Sequence, residues 1–368
     1  MDGVSGSELF LLQFMPELKR RGYSVELLLF FPKTSTKNAD FVAQLQSSDI
    51  VVHEIYGHRT LSPILIWKVF RLIKKRKVDL FQSNLIHADL LSAVIKFLFV
   101  RKLKILSIKH GYHPRYQAKY GFDLRYVKFD VFYWIEKFAC IFIDFNIAIS
   151  TGLTQAFAGT GIVPSHKIRT IPYGLSLTLA KSEVSFNKPD FKYVVILGRL
   201  IAMKGHSYLL KSWTTIKKVE PNLHLLIIGD GSIRSKLETF VVKNKLDDVI
   251  HFLGHQSNPH PWLENSLFTI VTSTWEGFGF IILESWHHKK PVIAFDVPAM
   301  NEIIAHEETG LLVPFSDTNR LTAEILRLIE NPKQIALFGE NGFQRLTEYY
   351  TLNRMSDEIC SVIEDLRS

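Results

Sequence analysis

Short apolar runs alternate with amphipathic stretches along this chain, and the alternation begins twice. In the first half the pattern predicts helices over residues 9–21, 63–75 and 89–99, and strands over 24–31, 80–82, 104–108 and 145–149. In the second half strands are expected over 193–197, 223–228, 249–253, 268–271 and 292–295, with helices between them. Strand runs separated by helical periodicity imply parallel strands joined by crossover helices. The restart at Lys192 follows a polar stretch, residues 175–191, that reads as a linker. Two doubly wound α/β domains are therefore expected, 1–174 and 192–351, with an amphipathic helix over 352–368 packing back across the hinge. Facing sheets of this kind would open a ligand crevice between the carboxyl ends of both.

One element is missing from the pattern. A doubly wound domain keeps its first strand at the centre of the sheet, yet this chain opens on a Gly/Ser loop and a helix. Losing that strand would leave ladder groups and apolar helix faces uncovered. The reading preferred is that Met1 lies downstream of the true start; a working relative without the strand is the alternative.

Composition narrows the classes. The 368 residues are 47% hydrophobic and 22% charged, which fits two full cores and argues against disorder. Net charge is +8, thickest in the first half at Lys74, Lys75, Arg76 and Lys77 and at Arg101, Lys102 and Lys104. Such a balance suits nucleic acid, an anionic membrane surface or a phosphorylated small substrate. Nucleic acid is the weakest of these, since zinc-ligand spacing, aromatic RNA-binding signatures and basic repeats are all lacking. Cys140 and Cys360 stand far apart in apolar contexts and read as buried thiols of a reducing compartment. No leader pattern and no apolar run of about 18 residues is present, so a cytoplasmic location is expected, with contact to the inner face of a membrane. Residues 63–77 join an apolar face bearing Trp67 to a Lys/Arg face. That pattern fits a helix at an anionic lipid interface and, more commonly, a surface helix packed on its sheet.

The densest chemistry lies in the run Thr274 to Glu284. Glu276 and Glu284 bracket Gly277, Phe278 and Gly279 between a strand and a helix. Glycines let amides approach a ligand, a helix N-terminus favours anions, and carboxylates suit vicinal hydroxyls. Together these features describe a nucleotide-sugar site. Capped-helix geometry with two surface glutamates is the plain alternative. Upstream, Gly198 and Arg199 end a strand, and Lys204 and Gly205 open the next helix, so two cations converge where a departing diphosphate needs neutralising. Gly229, Asp230 and Gly231 form a strand-end turn that suits close approach to a nucleoside and equally suits a simple turn.

Gly3 and Gly6, before Ser7 and Glu8, could offer amides to a phosphate. His110 directly follows a strand and would face the crevice, placed to hydrogen-bond the sugar or the acceptor hydroxyl. His87 is a weaker case of the same kind. His287 and His288 lack ligand-spaced partners and read as non-catalytic.

With these residues in place the chain resembles the retaining GT-B glycosyltransferases of family 4 (group 1), over nearly its whole length. Gly6-Ser7-Glu8 and the helix after it look like the family's opening loop, and His110 matches its active-site histidine. Ile171-Pro172-Tyr173-Gly174 resembles the end of the N-terminal domain, with Tyr173 where Asn is usual. Gly198-Arg199 with Lys204 resembles the donor-diphosphate motif, Gly229-Asp230-Gly231 the nucleotide turn, and Glu276 to Glu284 the E-x7-E motif. Lys289 stands where Gly is usual, and Thr272 where Pro is common.

The resemblance implies a GT-B fold of two facing Rossmann-like domains. It also implies a metal-independent, hexosyltransferase-type enzyme without cofactor, taking a UDP-sugar or GDP-sugar. Glu276 would hold the donor sugar, Glu284 the ribose, and Arg199 and Lys204 the diphosphate. The acceptor expected is a saccharide or lipid-linked saccharide of surface polysaccharide or lipopolysaccharide synthesis. Two alternatives stand beside it: a non-catalytic nucleotide-sugar-binding subunit, and a sugar-nucleotide epimerase of the same architecture.

Overall fold

The structure, a computed structural model, describes residues 6–32, 39–57, 61–112, 117–118, 121–122, 131–178 and 186–368. The first half runs α1 (Gly6–Arg20), β1 (Glu26–Pro32), α2 (Ala39–Ser47), β2 (Val51–Gly57), α3 (Pro63–Arg76), β3 (Leu80–Ser83), α4 (Ile86–Leu98) and β4 (Lys104–Lys109). A small hairpin, β5 (Gln117–Ala118) and β6 (Gly121–Phe122), precedes α5 (Val131–Phe142), β7 (Phe145–Ala148), α6 (Thr151–Gly159) and β8 (Ile168–Thr170). The second half opens with β9 (Lys192–Leu197), α7 (His206–Val219), β10 (Leu223–Ile228), α8 (Arg234–Lys243), β11 (Ile250–Gly254), α9 (His260–Asn265) and β12 (Thr269–Val271). It continues through α10 (Phe280–His287), β13 (Val292–Asp296), α11 (Met300–Ile303), β14 (Gly310–Pro314), α12 (Thr318–Glu330), α13 (Pro332–Tyr349) and α14 (Leu352–Arg367).

In the second half six parallel strands lie in the order β11-β10-β9-β12-β13-β14. The order in which strands are added reverses between β9 and β12, and ligands of doubly wound folds bind outside the carboxyl ends at that reversal. Val194, Val195, Leu225, Ile293 and Ala294 are fully buried, as strands covered on both faces require.

The first half is built alike but interrupted. β3-β4-β7-β8 form one parallel sheet, and β1-β2 form another. In the second half the first strand lies between the second and the fourth; here the corresponding neighbours, β1 and β3, belong to separate sheets. The cost is visible in burial. Ile105 and Leu106 of β4 are fully covered, whereas Leu28, Leu29, Leu80 and Phe81 remain half-buried. The expectation of a doubly wound N-terminal domain without its central strand matches this split.

Some details depart from the sequence reading. β2, β8 and β14 escape it because their apolar runs are short or mixed with His53 and Glu54. Gly6, Ser7 and Glu8 form the first turn of α1, not a loop before it. Gly3 and residues 179–185 of the linker lie outside the described residues. Both cysteines are free and buried. Lys289 does take the left-handed conformation, with φ at 54°. At the hinge, the Leu175 amide donates to the Tyr350 carbonyl at 2.8 Å and the Leu352 amide to that of Leu175 at 3.0 Å. α14 then returns onto α1, where Arg21 pairs with Asp357 and Tyr23 with Glu364.

Candidate active site at the crevice between the two halves

Two neighbouring strands of the C-terminal sheet deliver the basic groups. β9 and β10 end in Gly198 and Gly229, and a β-carbon on Gly229, whose φ is 134°, would lie 2.1 Å from the Gly198 carbonyl oxygen. Only glycine lets the two turns touch, which fixes Arg199 beside the Gly229-Asp230-Gly231 loop. Arg199 is exposed, and its guanidinium has no partner among the described residues. Asp230 is engaged at the rim, accepting from the Gly231 amide at 2.7 Å and from Arg234 at 2.8 Å. Lys204 closes a short 3-10 turn before α7 and pairs directly with Glu276, which also accepts from the Ser273 hydroxyl at 2.7 Å. Cation and carboxylate therefore share one half-buried spot.

Gly277 follows Glu276 and brings the N-terminal half in. A β-carbon there would stand 2.3 Å from the His110 carbonyl oxygen. Beside this contact Trp275 stacks on Tyr112 with ring centres 5.1 Å apart. Gly6 comes near the ring of Phe280, so the first turn of α1 faces the same loop. Phe278 is buried against Tyr173 and Tyr350, so only its backbone can serve a ligand. Gly279, with φ at 101°, starts α10. Glu284 lies one turn further along α10, hemmed in by protein with one edge open. Burial pushes its carboxyl up to about 7, and no hydrogen-bond partner stands opposite it among the described residues.

His110 ends β4. Its Nδ1 meets the Tyr173 hydroxyl and its Nε2 lies 3.2 Å from Asn84 Oδ1. Burial holds its pKa down to about 3, with Asp89 opposing and Lys109 assisting, so the ring is neutral at physiological pH. Behind it Lys109 and Asp89 form a buried ion pair at 2.6 Å, with Ser83 donating to the other oxygen of Asp89. Glu136 nearby is pushed up to about 7 by burial, Lys109 opposing. Tyr173 stacks between Phe10 and Phe280, at 5.4 and 4.5 Å.

Of the residues expected from the sequence, contacts thus tie Lys204 to Glu276, Gly277 to His110, Gly6 to Phe280 and Gly229 to Gly198, while Arg199, Asp230 and Gly231 follow those last two glycines and Gly279 and Glu284 belong to the start of α10. His87 is exposed on α4, and His288 bonds His260 at 3.1 Å away from these groups. Sequence reading missed Asn84, and it gave Tyr173 no more than a place at the end of the N-terminal domain. It also missed Glu302, whose carboxylate accepts from the Thr151 and Gly152 amides at 2.6 and 2.8 Å, tying α11 to the start of α6. A lone Glu or Asn carries no periodic or glycine signal that could have marked it. No cluster of metal-ligating side chains occurs among the described residues.

Residues 4–179 match the family described as Glycosyltransferase Family 4, and residues 180–345 match Glycosyl transferases group 1. The chain belongs to the GT-B glycosyltransferases. An uncharacterized glycosyltransferase of Methanocaldococcus jannaschii is 35% identical over 162 residues, 44% of this chain and 44% of that protein. The match therefore spans less than half of that relative's length. Staphylococcus aureus CapM, a capsular polysaccharide biosynthesis glycosyltransferase, is 25% identical over 310 residues, 80% of this chain and 79% of that one. The GT-B fold recurs in Anabaena HepE, solved with UDP-glucose, at a TM-score of 0.80 and 18% identity over 99% of this chain and 97% of that one.

Proposed function

We propose that the protein transfers a hexose from a UDP- or GDP-sugar to a saccharide or lipid-linked saccharide, retaining anomeric configuration, in surface polysaccharide or lipopolysaccharide synthesis. What carries the reading is one meeting point. Lys204 and Glu276 form a pair whose next residue, Gly277, abuts His110 across the crevice. A donor whose diphosphate reaches Lys204 and Arg199 would set its sugar hydroxyls on Glu276 and its anomeric carbon toward His110. Charge leaving with the diphosphate is then neutralised by protein cations, with no metal required. Glu284, an unpartnered carboxylate in a desolvated spot, suits the paired hydroxyls of the ribose. Neutral His110 would hydrogen-bond the sugar or the acceptor hydroxyl by exchanging the 3.2 Å contact of Nε2 with Asn84, without adding positive charge beside the cations. CapM, a capsular polysaccharide biosynthesis glycosyltransferase, supports the surface-polysaccharide setting, and the HepE complex supports a UDP-linked donor.

The test is release of nucleoside diphosphate from a panel of UDP- and GDP-sugars with saccharide and lipid-linked acceptors, the anomer of the product being read by NMR. An inverted product would end the retaining assignment. Unchanged turnover in Glu276→Ala, Arg199→Ala and Lys204→Ala would end the site assignment. One second reading has an observation in its favour. The interrupted N-terminal sheet suits a subunit that binds nucleotide-sugar without transferring it, and tight UDP binding with no turnover on any acceptor would select it.

A further inference from the structure

No helix among the described residues is long and apolar enough to cross a membrane. Yet the side of the N-terminal half formed by α3, α4 and α5 is apolar where it meets water. The clearest case is α5. Its charged Glu136 points inward to Lys109 and Asp89, while Val131, Trp134, Phe138 and Ile141 face out at three- and four-residue spacing. Trp134 is 57% exposed and Ile141 63%. A helix facing only water would carry the opposite arrangement. On α3, Leu65, Val69 and Ile73 are buried, as the packed helix favoured by the sequence requires, while Ile64 and Trp67 are likewise exposed.

Ring contacts join the three helices into one surface. Phe99, at the end of α4, stacks on Phe70 of α3 at 4.8 Å, and Phe97 meets Phe142 of α5 at 5.3 Å. The charge around this surface has one sign. Residues 61–112 and 131–142 hold 12 Lys and Arg against 3 Asp and Glu, an excess of 9 where the whole chain has 8, and two of those acids, Asp89 and Glu136, are buried. Lys68, Arg71, Lys74 and Lys75 are exposed on α3 itself. A second copy placed on this face would meet the same positive field, which opposes self-association. Aromatic side chains ringed by lysine and arginine match the interface of a bilayer that carries negative headgroups.

We infer that the α3–α4–α5 face docks the protein on a membrane containing anionic lipid, with Trp67 and Trp134 at headgroup level. This deepens the proposed lipid-linked acceptor but is measured separately from the donor crevice. The experiment is co-sedimentation of the full chain with phosphatidylcholine vesicles, with and without phosphatidylglycerol. Anionic vesicles should retain about tenfold more protein, and added salt should weaken the binding. Trp134→Ser with Ile141→Ser, and separately Lys74→Glu with Lys75→Glu, should each reduce the bound fraction about fivefold or more. Melting temperature and UDP binding should stay unchanged, which shows that the variants fold and keep their donor site. Equal, low sedimentation with both kinds of vesicle would overturn the inference. So would a stable dimer, seen by analytical ultracentrifugation, that the Trp134→Ser/Ile141→Ser protein splits into monomers. Vesicle binding without UDP binding in the unsubstituted protein would uphold the surface and count against the donor site instead.

Discussion

The backbone of Gly277 lies against that of His110 so closely that no side chain fits between them. This contact joins the two halves at the point where transfer is proposed. Gly277→Ala should push the loops apart while leaving each half folded. Turnover should fall roughly 10- to 100-fold, the scale of a small misplacement of reacting groups. Steady-state kinetics beside a UDP titration will check this, and full activity would show that the contact is incidental.

Lys204 and Glu276 answer for opposite charges on the donor. Lys204→Ala should lower kcat by about 10²–10³, as loss of one well-placed donor to a developing anion does. Lys204→Arg should recover part of it. Glu276→Gln keeps the shape but not the charge, and should cut kcat with little effect on UDP affinity, because its proposed partner is the sugar. A variant that alters only UDP affinity would move Glu276 to the nucleotide.

Glu284 makes a pH prediction. Its carboxyl titrates near 7 in the free protein against an ordinary value of 4.5, because burial disfavours the charge. The folded chain therefore holds a proton between those values that the unfolded chain has released. Stability contributed by this group is full below pH 4.5 and fades as pH rises through 7. Ribose binding asks for the ionised form, so UDP affinity should fall on acidification, by up to about tenfold per unit below 7. Calorimetric titration between pH 6 and 8 should find the step in the natural protein and not in Glu284→Gln. An identical step in both would exclude Glu284 as its source.

The Lys109–Asp89 pair is a packing device behind His110. Lys109→Met would strand a carboxylate in the core and should cost about 3–5 kcal/mol in urea unfolding. Adding Asp89→Leu should recover much of that loss, since the two changes remove a coupled pair. If the double variant is no better than the single, the cost comes from packing rather than from the unpaired charge.

The C-terminal sheet was legible because β9, β10 and β13 are buried on both faces and so read as unbroken apolar runs. β2 was not, since among the described residues it pairs only with β1, and it carries His53 and Glu54 among its apolar residues. The Lys204–Glu276 pair and the loops beside it were legible because glycines punctuate them near strand ends, where a backbone must come close to something. Tyr173, Asn84 and Glu302 were not. Their contacts join residues 26 to 151 positions apart, and spacing along a chain says nothing of such partners. α5 was not among the expected helices, because apolar residues on both its buried and its exposed side blur the periodicity that marks one.

The chain crosses between its halves twice, and at Leu175 and Thr351 the two crossings are bonded to each other. A single strand of linker would let the halves twist and slide. Two strands sewn edge to edge act as a door hinge with both leaves pinned, so the remaining freedom is a swing about one line. Opening about that line would separate Gly277 from His110 along an arc, and closure would return them to the same register.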